Sequence, residues 1–187
     1  VAPFEAMKAS GLSLSGGTLG AQLRMVAALI RASNQLGASA TSPVKRQIFF
    51  VSIGGFDTHG TEFWTNNPNN NKQVSKAISA FWTAMGNVKI RDAAGTGYLP
   101  GSAQDRVTLF TMTDFGRTLD SNGNGSDHGW GSHHIVLGDQ LLSRGCGLIR
   151  LTCIVFDDEL DLIFFAPYLE AASIVDICHG HLGCVLE

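Results

Sequence analysis

Cysteine is absent from residues 1–145 of this 187-residue chain, and its four cysteines, Cys146, Cys153, Cys178 and Cys184, crowd into the last 42 positions. A body without thiols suits an exported protein and leaves oxygen and imidazole nitrogen as its metal donors. Charge is scarce too: 16% of residues are charged, fewer than in an average domain. A net charge of -3 and an isoelectric point near 6.0 supply no basic field of the kind that holds nucleic acid. No apolar run approaches the roughly 18 residues of a membrane span; residues 160–169 come closest, and Asp161 interrupts them. Neither a starting Met nor a signal peptide is visible, so Val1-Ala-Pro-Phe4 reads as the interior of a longer chain. The compartment is therefore not legible from a targeting segment.

What remains is a globular composition, 44% hydrophobic, suited to one domain or a large piece of a bigger one. Leu19, Leu23, Val26 and Ile30 recur at helical spacing and predict an amphipathic helix over 18–36, with Thr18 as N-cap and Gly37 as C-cap. A small-residue linker follows, and then Gln47-Ile-Phe-Phe-Val-Ser-Ile53 reads as a buried strand of a parallel sheet. Residues 60–71, with their Asn-Asn-Pro-Asn-Asn-Asn tract, read as a polar loop. Val74, Ile78, Phe81 and Met85 predict a helix over 72–86. A second buried strand is expected over 106–113, a long loop over 114–132, and a short apolar strand over 134–137. The order matches an α/β architecture, a mostly parallel sheet with flanking helices. In such sheets ligands sit beyond the carboxyl ends of the strands, so the loops after the two strands are expected on one rim.

Those two loops carry the chemistry. The first begins Gly54-Gly-Phe-Asp-Thr-His59. The second lies in Thr113–His134, whose 22 residues hold three Asp, three of the six His, one Arg and five Gly. Loops on a rigid scaffold are where binding and catalysis concentrate. Asp57, His59, Asp127 and His128 have side chains suited to a divalent metal such as Zn, Mn or Mg. Asp57 and His59 stand two apart, and reaching one site is expected to need the Gly54-Gly55 turn to break the strand alternation. Plain alternatives stand beside each role. His59 and His128 suit N-caps or turn hydrogen bonds equally in type. Arg117 either clamps an oxyanion through its planar fork or pairs with Asp114 or Asp120. Asp114 is a ligand or a turn cap, and Trp130 a packing plug or a pocket wall. His133 and His134 point to opposite sides if extended, so at most one joins a site.

Ser52-Ile-Gly-Gly-Phe-Asp-Thr-His59, Thr113-Asp-Phe-Gly-Arg-Thr-Leu119 and Gly125-Ser-Asp-His-Gly-Trp-Gly-Ser-His-His134 closely resemble the bacterial domain-of-unknown-function family 1501. Its members are exported proteins, often with twin-arginine signals. The similarity covers roughly residues 18–138, with the three motifs in the family's order and spacing. The family is grouped with the alkaline-phosphatase-like and sulfatase-like hydrolases. The resemblance thus implies an incomplete alkaline-phosphatase-like domain and a periplasmic or extracellular location. It implies that Asp57 and His59 match one set of metal ligands. Asp127-His128-Gly129 would match the Asp-His-Gly of metal-dependent phosphodiesterases and phosphomutases.

Two departures bear on the whole. The family's earlier Gly-Gly-x-Asp motif, the expected place of the nucleophile, does not precede residue 18 here. After about Leu142 the likeness ends where the cysteines begin, as a changed reading frame or a truncated gene would produce. The expected organisation is therefore a partial domain over 1–142 and a divergent tail over 143–187 that packs poorly. The tail's Cys178-His-Gly-His-Leu-Gly-Cys184 looks like a zinc knuckle, but its spacing fits no standard pattern. The expected function is a fragment of an exported metal-dependent hydrolase acting on small or polymeric phosphate or sulfate esters, giving little turnover by itself. Arg117 would contact the anion. The rival is a non-catalytic envelope or surface-binding protein that keeps the fold and a structural metal.

Overall fold

Helical spacing of apolar residues builds the first element. In the computed structural model, α1 (Leu19–Leu36) buries Leu23, Val26, Ala27 and Ile30. The Thr18 hydroxyl accepts the Ala21 N–H at 3.3 Å, an N-cap bond that satisfies one otherwise open donor. The structure describes Met7 and residues 17–36, 47–61, 63–92, 94–113, 116–129, 134–138, 151–152, 160–166 and 185–186. For residues 35–36, 63, 151–152, 160–166 and 185–186 it describes the backbone course alone. Gly37, Asp114, Trp130, His133 and the four cysteines lie outside the described residues.

The second helix, α2 (Phe63–Gly86), starts well ahead of the apolar rhythm that announces it. Residues 63–71 are helical rather than a loop, with Pro68 inside the helix. Asn and Pro are poor helix formers, so the tract reads as loop; bonds to a neighbouring segment override that preference. Asn70 Nδ2 donates to the Gly55 carbonyl at 2.7 Å, and the Thr58 hydroxyl donates to Asn67 Oδ1 at 3.0 Å. Further along, Val74, Ile78, Phe81 and Met85 are all buried, as their spacing predicts.

Strand β1 (Gln47–Ile53) turns Phe49, Val51 and Ile53 towards the core shared with both helices, while Ile48 and Phe50 stay exposed. Strand β2 (Thr108–Thr113) contributes Leu109 to the same core. Burying one such large apolar side chain is worth about 1.5–3 kcal/mol, so this helix–sheet core, rather than the polar loops, carries the stability. No helix among the described residues is long and apolar enough to cross a membrane.

The mostly parallel, alkaline-phosphatase-like sheet expected from the sequence is not what the structure contains. The main sheet has the order β1-β7-β2-β5, with β5 at Val136–Leu137 and β7 at Leu160–Ala166, and every ladder in it is antiparallel. Two smaller antiparallel sheets join β3 (Gly116–Ser121) to β4 (Ser126–Gly129) and β6 (Leu151–Thr152) to β8 (Val185–Leu186). The long loop expected over 114–132 therefore contains a hairpin. An apolar run shows that a strand is buried but carries no record of its neighbour's direction. Here β7 takes the place between β1 and β2. Because β1 and β2 each run opposite to β7, they run in the same sense, and the segments following them leave the sheet at the same end.

Candidate metal centre

The segment after β1 turns at Gly54-Gly55, where Gly55 has φ of 88°, a left-handed conformation that glycine adopts without strain. Phe56 packs on the core and Thr58 is 2% exposed, whereas Asp57 and His59 face solvent. Inward and outward residues thus alternate through 56–59. The backbone bends twice here, at Gly55 and again where the Thr58 N–H donates to the Phe56 carbonyl at 2.9 Å, a three-residue turn centred on Asp57, and Asp57 and His59 come out on the exposed side.

The hairpin β3–β4 supplies the other half. Arg117 and His128 are cross-strand partners, so their side chains stand together. Two glycines permit the close approach. A Cβ on Gly129 would lie 2.8 Å from the Arg117 carbonyl carbon, and one on Gly125 would lie 2.8 Å from the backbone of both His59 and Gly60. Asn122 closes the turn: its Oδ1 accepts the Asn124 and Gly125 N–H groups at 3.1 and 2.7 Å. Its Nδ2 donates to the His59 carbonyl at 3.1 Å and to Asp127 Oδ1 at 2.8 Å.

One oxygen is the hub. Asp57 Oδ1 lies 2.9 Å from His59 Nδ1, 2.9 Å from Arg117 Nη2 and 3.1 Å from His128 Nε2. The two imidazole rings stand 4.5 Å apart, centre to centre. Arg117 ties both halves: Nη2 also donates to the Phe56 carbonyl at 2.8 Å, and Nη1 donates to the Ser126 carbonyl at 2.6 Å. The hydrogen bond with His128 is the main influence holding the Asp57 carboxyl below its usual range. Burial opposes it as the second-largest influence, and Arg117's hydrogen bond and the charges of His59 and Arg117 each add a smaller lowering effect. The side chains of Asp57, His59 and His128 are 41%, 45% and 44% exposed against 18% for Arg117, so the arginine is the tie beneath an accessible cluster.

Asp57, His59 and His128 form a group that can hold a metal ion, their donor atoms all within 4.8 Å of one another. Donors at roughly 2.0–2.2 Å from a zinc ion fall roughly 3–4 Å from each other, so a bound ion would draw the widest pair closer and replace the imidazole contacts to Asp57 Oδ1. Asp127 stands elsewhere: it follows Ser126 and precedes His128 in β4, so it points to the opposite side, where its carboxylate accepts from Asn122. Arg117 pairs with Asp57 across 60 residues of sequence, not with Asp120. His134 is half-buried ahead of β5 and is not part of the group. Sequence reasoning passed over Thr58, Asn67, Asn70 and Asn122; the dense asparagine tract was the available signal, taken as loop composition.

These features define a chain of helices packed on an antiparallel sheet, whose open rim carries two imidazoles and a carboxylate on an arginine-tied scaffold. The chain belongs to the family described as Protein of unknown function (DUF1501), which matches residues 7–142, a span containing every residue of the cluster. No curated protein and no solved structure matches the chain.

Proposed function

We propose that Asp57, His59 and His128 bind a divalent metal and that the protein acts as an exported, metal-dependent hydrolase-like protein on phosphate or sulfate esters. The observation that carries this reading is the convergence of the three donor atoms within 4.8 Å on an accessible rim. Two imidazoles favour Zn or Mn; Mg, which prefers oxygen donors, is the poorest match. Bound by these three residues, such an ion would supply Lewis-acid chemistry, polarising a phosphoryl or sulfuryl oxygen or activating water. The chain's own part is to bring Asp57, His59 and His128 together and to hold them with Arg117. Asp127 serves outside the ligand set, through Asn122. Export to the periplasm or beyond rests on the family likeness of the three motifs.

One observation favours a second reading, a non-catalytic surface-binding protein that keeps the metal. Nη1 and Nη2 of Arg117 already serve the Ser126 and Phe56 carbonyls and Asp57, which leaves little of the fork for an oxyanion. Metal analysis of the purified chain, zinc and manganese titration, and p-nitrophenyl phosphate and sulfate assays separate the readings. Metal uptake with metal-dependent turnover, both lost in Asp57→Asn, supports the hydrolase. Uptake without turnover supports the second reading, and no uptake ends both.

A further inference from the structure

The run Asn66-Asn-Pro-Asn-Asn-Asn71 places two amides against the segment that carries Asp57 and His59. Asn67 and Asn70 are three apart on α2 and so share a face; both are half-buried, while Asn66, Asn69 and Asn71 are exposed. We propose that Asn67 and Asn70 are positioning residues for the metal centre, gripping the segment between β1 and α2 so that Asp57 and His59 present their donors on one side. This rests on reading the cluster as a metal site.

Thr58 sits between the two ligands. It is 2% exposed, and its hydroxyl donates to Asn67 Oδ1 at 3.0 Å. Asp57 and His59 are exposed on either side of it, and its N–H closes a tight turn onto the Phe56 carbonyl at 2.9 Å, so anchoring Thr58 inward holds both of its neighbours outward. Asn70 grips the start of the turn. Its Nδ2 donates to the Gly55 carbonyl at 2.7 Å, and a Cβ on Gly55 would come 3.2 Å from that nitrogen. The pair therefore holds the segment at its turn and at the residue between its ligands, which gives a helix-weakening tract a reason to be helical.

The two bonds run in opposite directions, and this makes the test sharp. Asn67 accepts, so Asp at that position still accepts. Asn70 donates, so Asp there loses the bond and sets a carboxylate against a carbonyl oxygen. A purely helical role predicts no such asymmetry, because a carboxylate near a helix N-terminus is favourable or neutral at either position. The experiment compares Asn67→Ala, Asn67→Asp, Asn70→Asp and the exposed control Asn69→Asp in the full chain. It uses zinc titration calorimetry, and amide hydrogen exchange over residues 54–60 of the metal-free protein. Asn67→Ala and Asn70→Asp are expected to weaken zinc binding by roughly 10–100-fold, the range for residues that orient ligands, and to speed exchange in the segment. Asn67→Asp and Asn69→Asp stay close to wild type in both. If Asn67→Asp and Asn70→Asp behave alike, the proposal is overturned. If the wild type takes up no zinc, the metal reading falls separately, and exchange still decides the grip: the same asymmetry supports it and equal exchange overturns it.

Discussion

Asp57 Oδ1 and His128 Nε2 lie 3.1 Å apart across 71 residues of sequence. The contact exists because two segments leave the sheet at the same end and because the β3–β4 hairpin places His128 opposite Arg117. It is also the strongest influence on the Asp57 carboxyl.

Asp57→Asn removes the anionic donor yet keeps its size. Zinc affinity is expected to fall by more than roughly 100-fold, beyond the range for outer partners. The melting temperature of the metal-free protein should change little, since ion pairs this exposed contribute about 0–1 kcal/mol. Calorimetric titration beside a thermal melt checks both halves; an unchanged affinity removes Asp57 from the ligand set.

His128→Ala and Asp127→Ala are neighbours in sequence with opposite expected results. The first should abolish tight metal binding, and the second should leave affinity within a few-fold of wild type, because alternation along β4 sends Asp127 away from the cluster. Equal losses in the two variants would mean that four side chains hold the metal.

Arg117→Lys keeps the charge but loses the planar fork. One ammonium cannot reach Asp57 and the carbonyls of Phe56 and Ser126 with the same geometry. A loss of about 1–3 kcal/mol is expected, the cost of unmaking hydrogen bonds to a largely buried charged group. Urea denaturation of the metal-free protein measures it, and an unchanged midpoint would contradict the tie.

Gly125→Ala and Gly123→Ala separate contact from conformation. A Cβ on Gly125 meets the His59 and Gly60 backbone at 2.8 Å, so this variant should displace the hairpin and weaken zinc binding at least roughly tenfold. Gly123 has φ of 100° with open space around it. Its alanine variant should lose about 1–3 kcal/mol of stability to backbone strain while binding zinc nearly as wild type. Titration and denaturation of both variants test the contrast.

Truncation after Leu142 tests the division of the chain. It removes β7, which pairs with both β1 and β2, and leaves two strands with open edges that favour association. A lower melting temperature and aggregation are the expected result. Unchanged melting with better solubility would instead make residues 143–187 a dispensable tail.

Much of this protein was legible locally. The buried faces of α1 and α2 follow from apolar residues spaced at about 3.6, and β1 and β2 from short apolar runs. Asp57, His59 and His128 were legible as ligand types in turn-rich segments. Strand order and direction were not, because β7 reaches β1 and β2 through pairings between distant residues that no local period encodes. The same non-local bonds made Asn67 and Asn70 helical against their propensity and gave Arg117 a partner 60 residues away. They also decided that His128 faces Asp57 while adjacent Asp127 faces Asn122. Residue type and period are properties of a few neighbouring positions, whereas which side chains meet is set by how the packed elements bring distant backbone together.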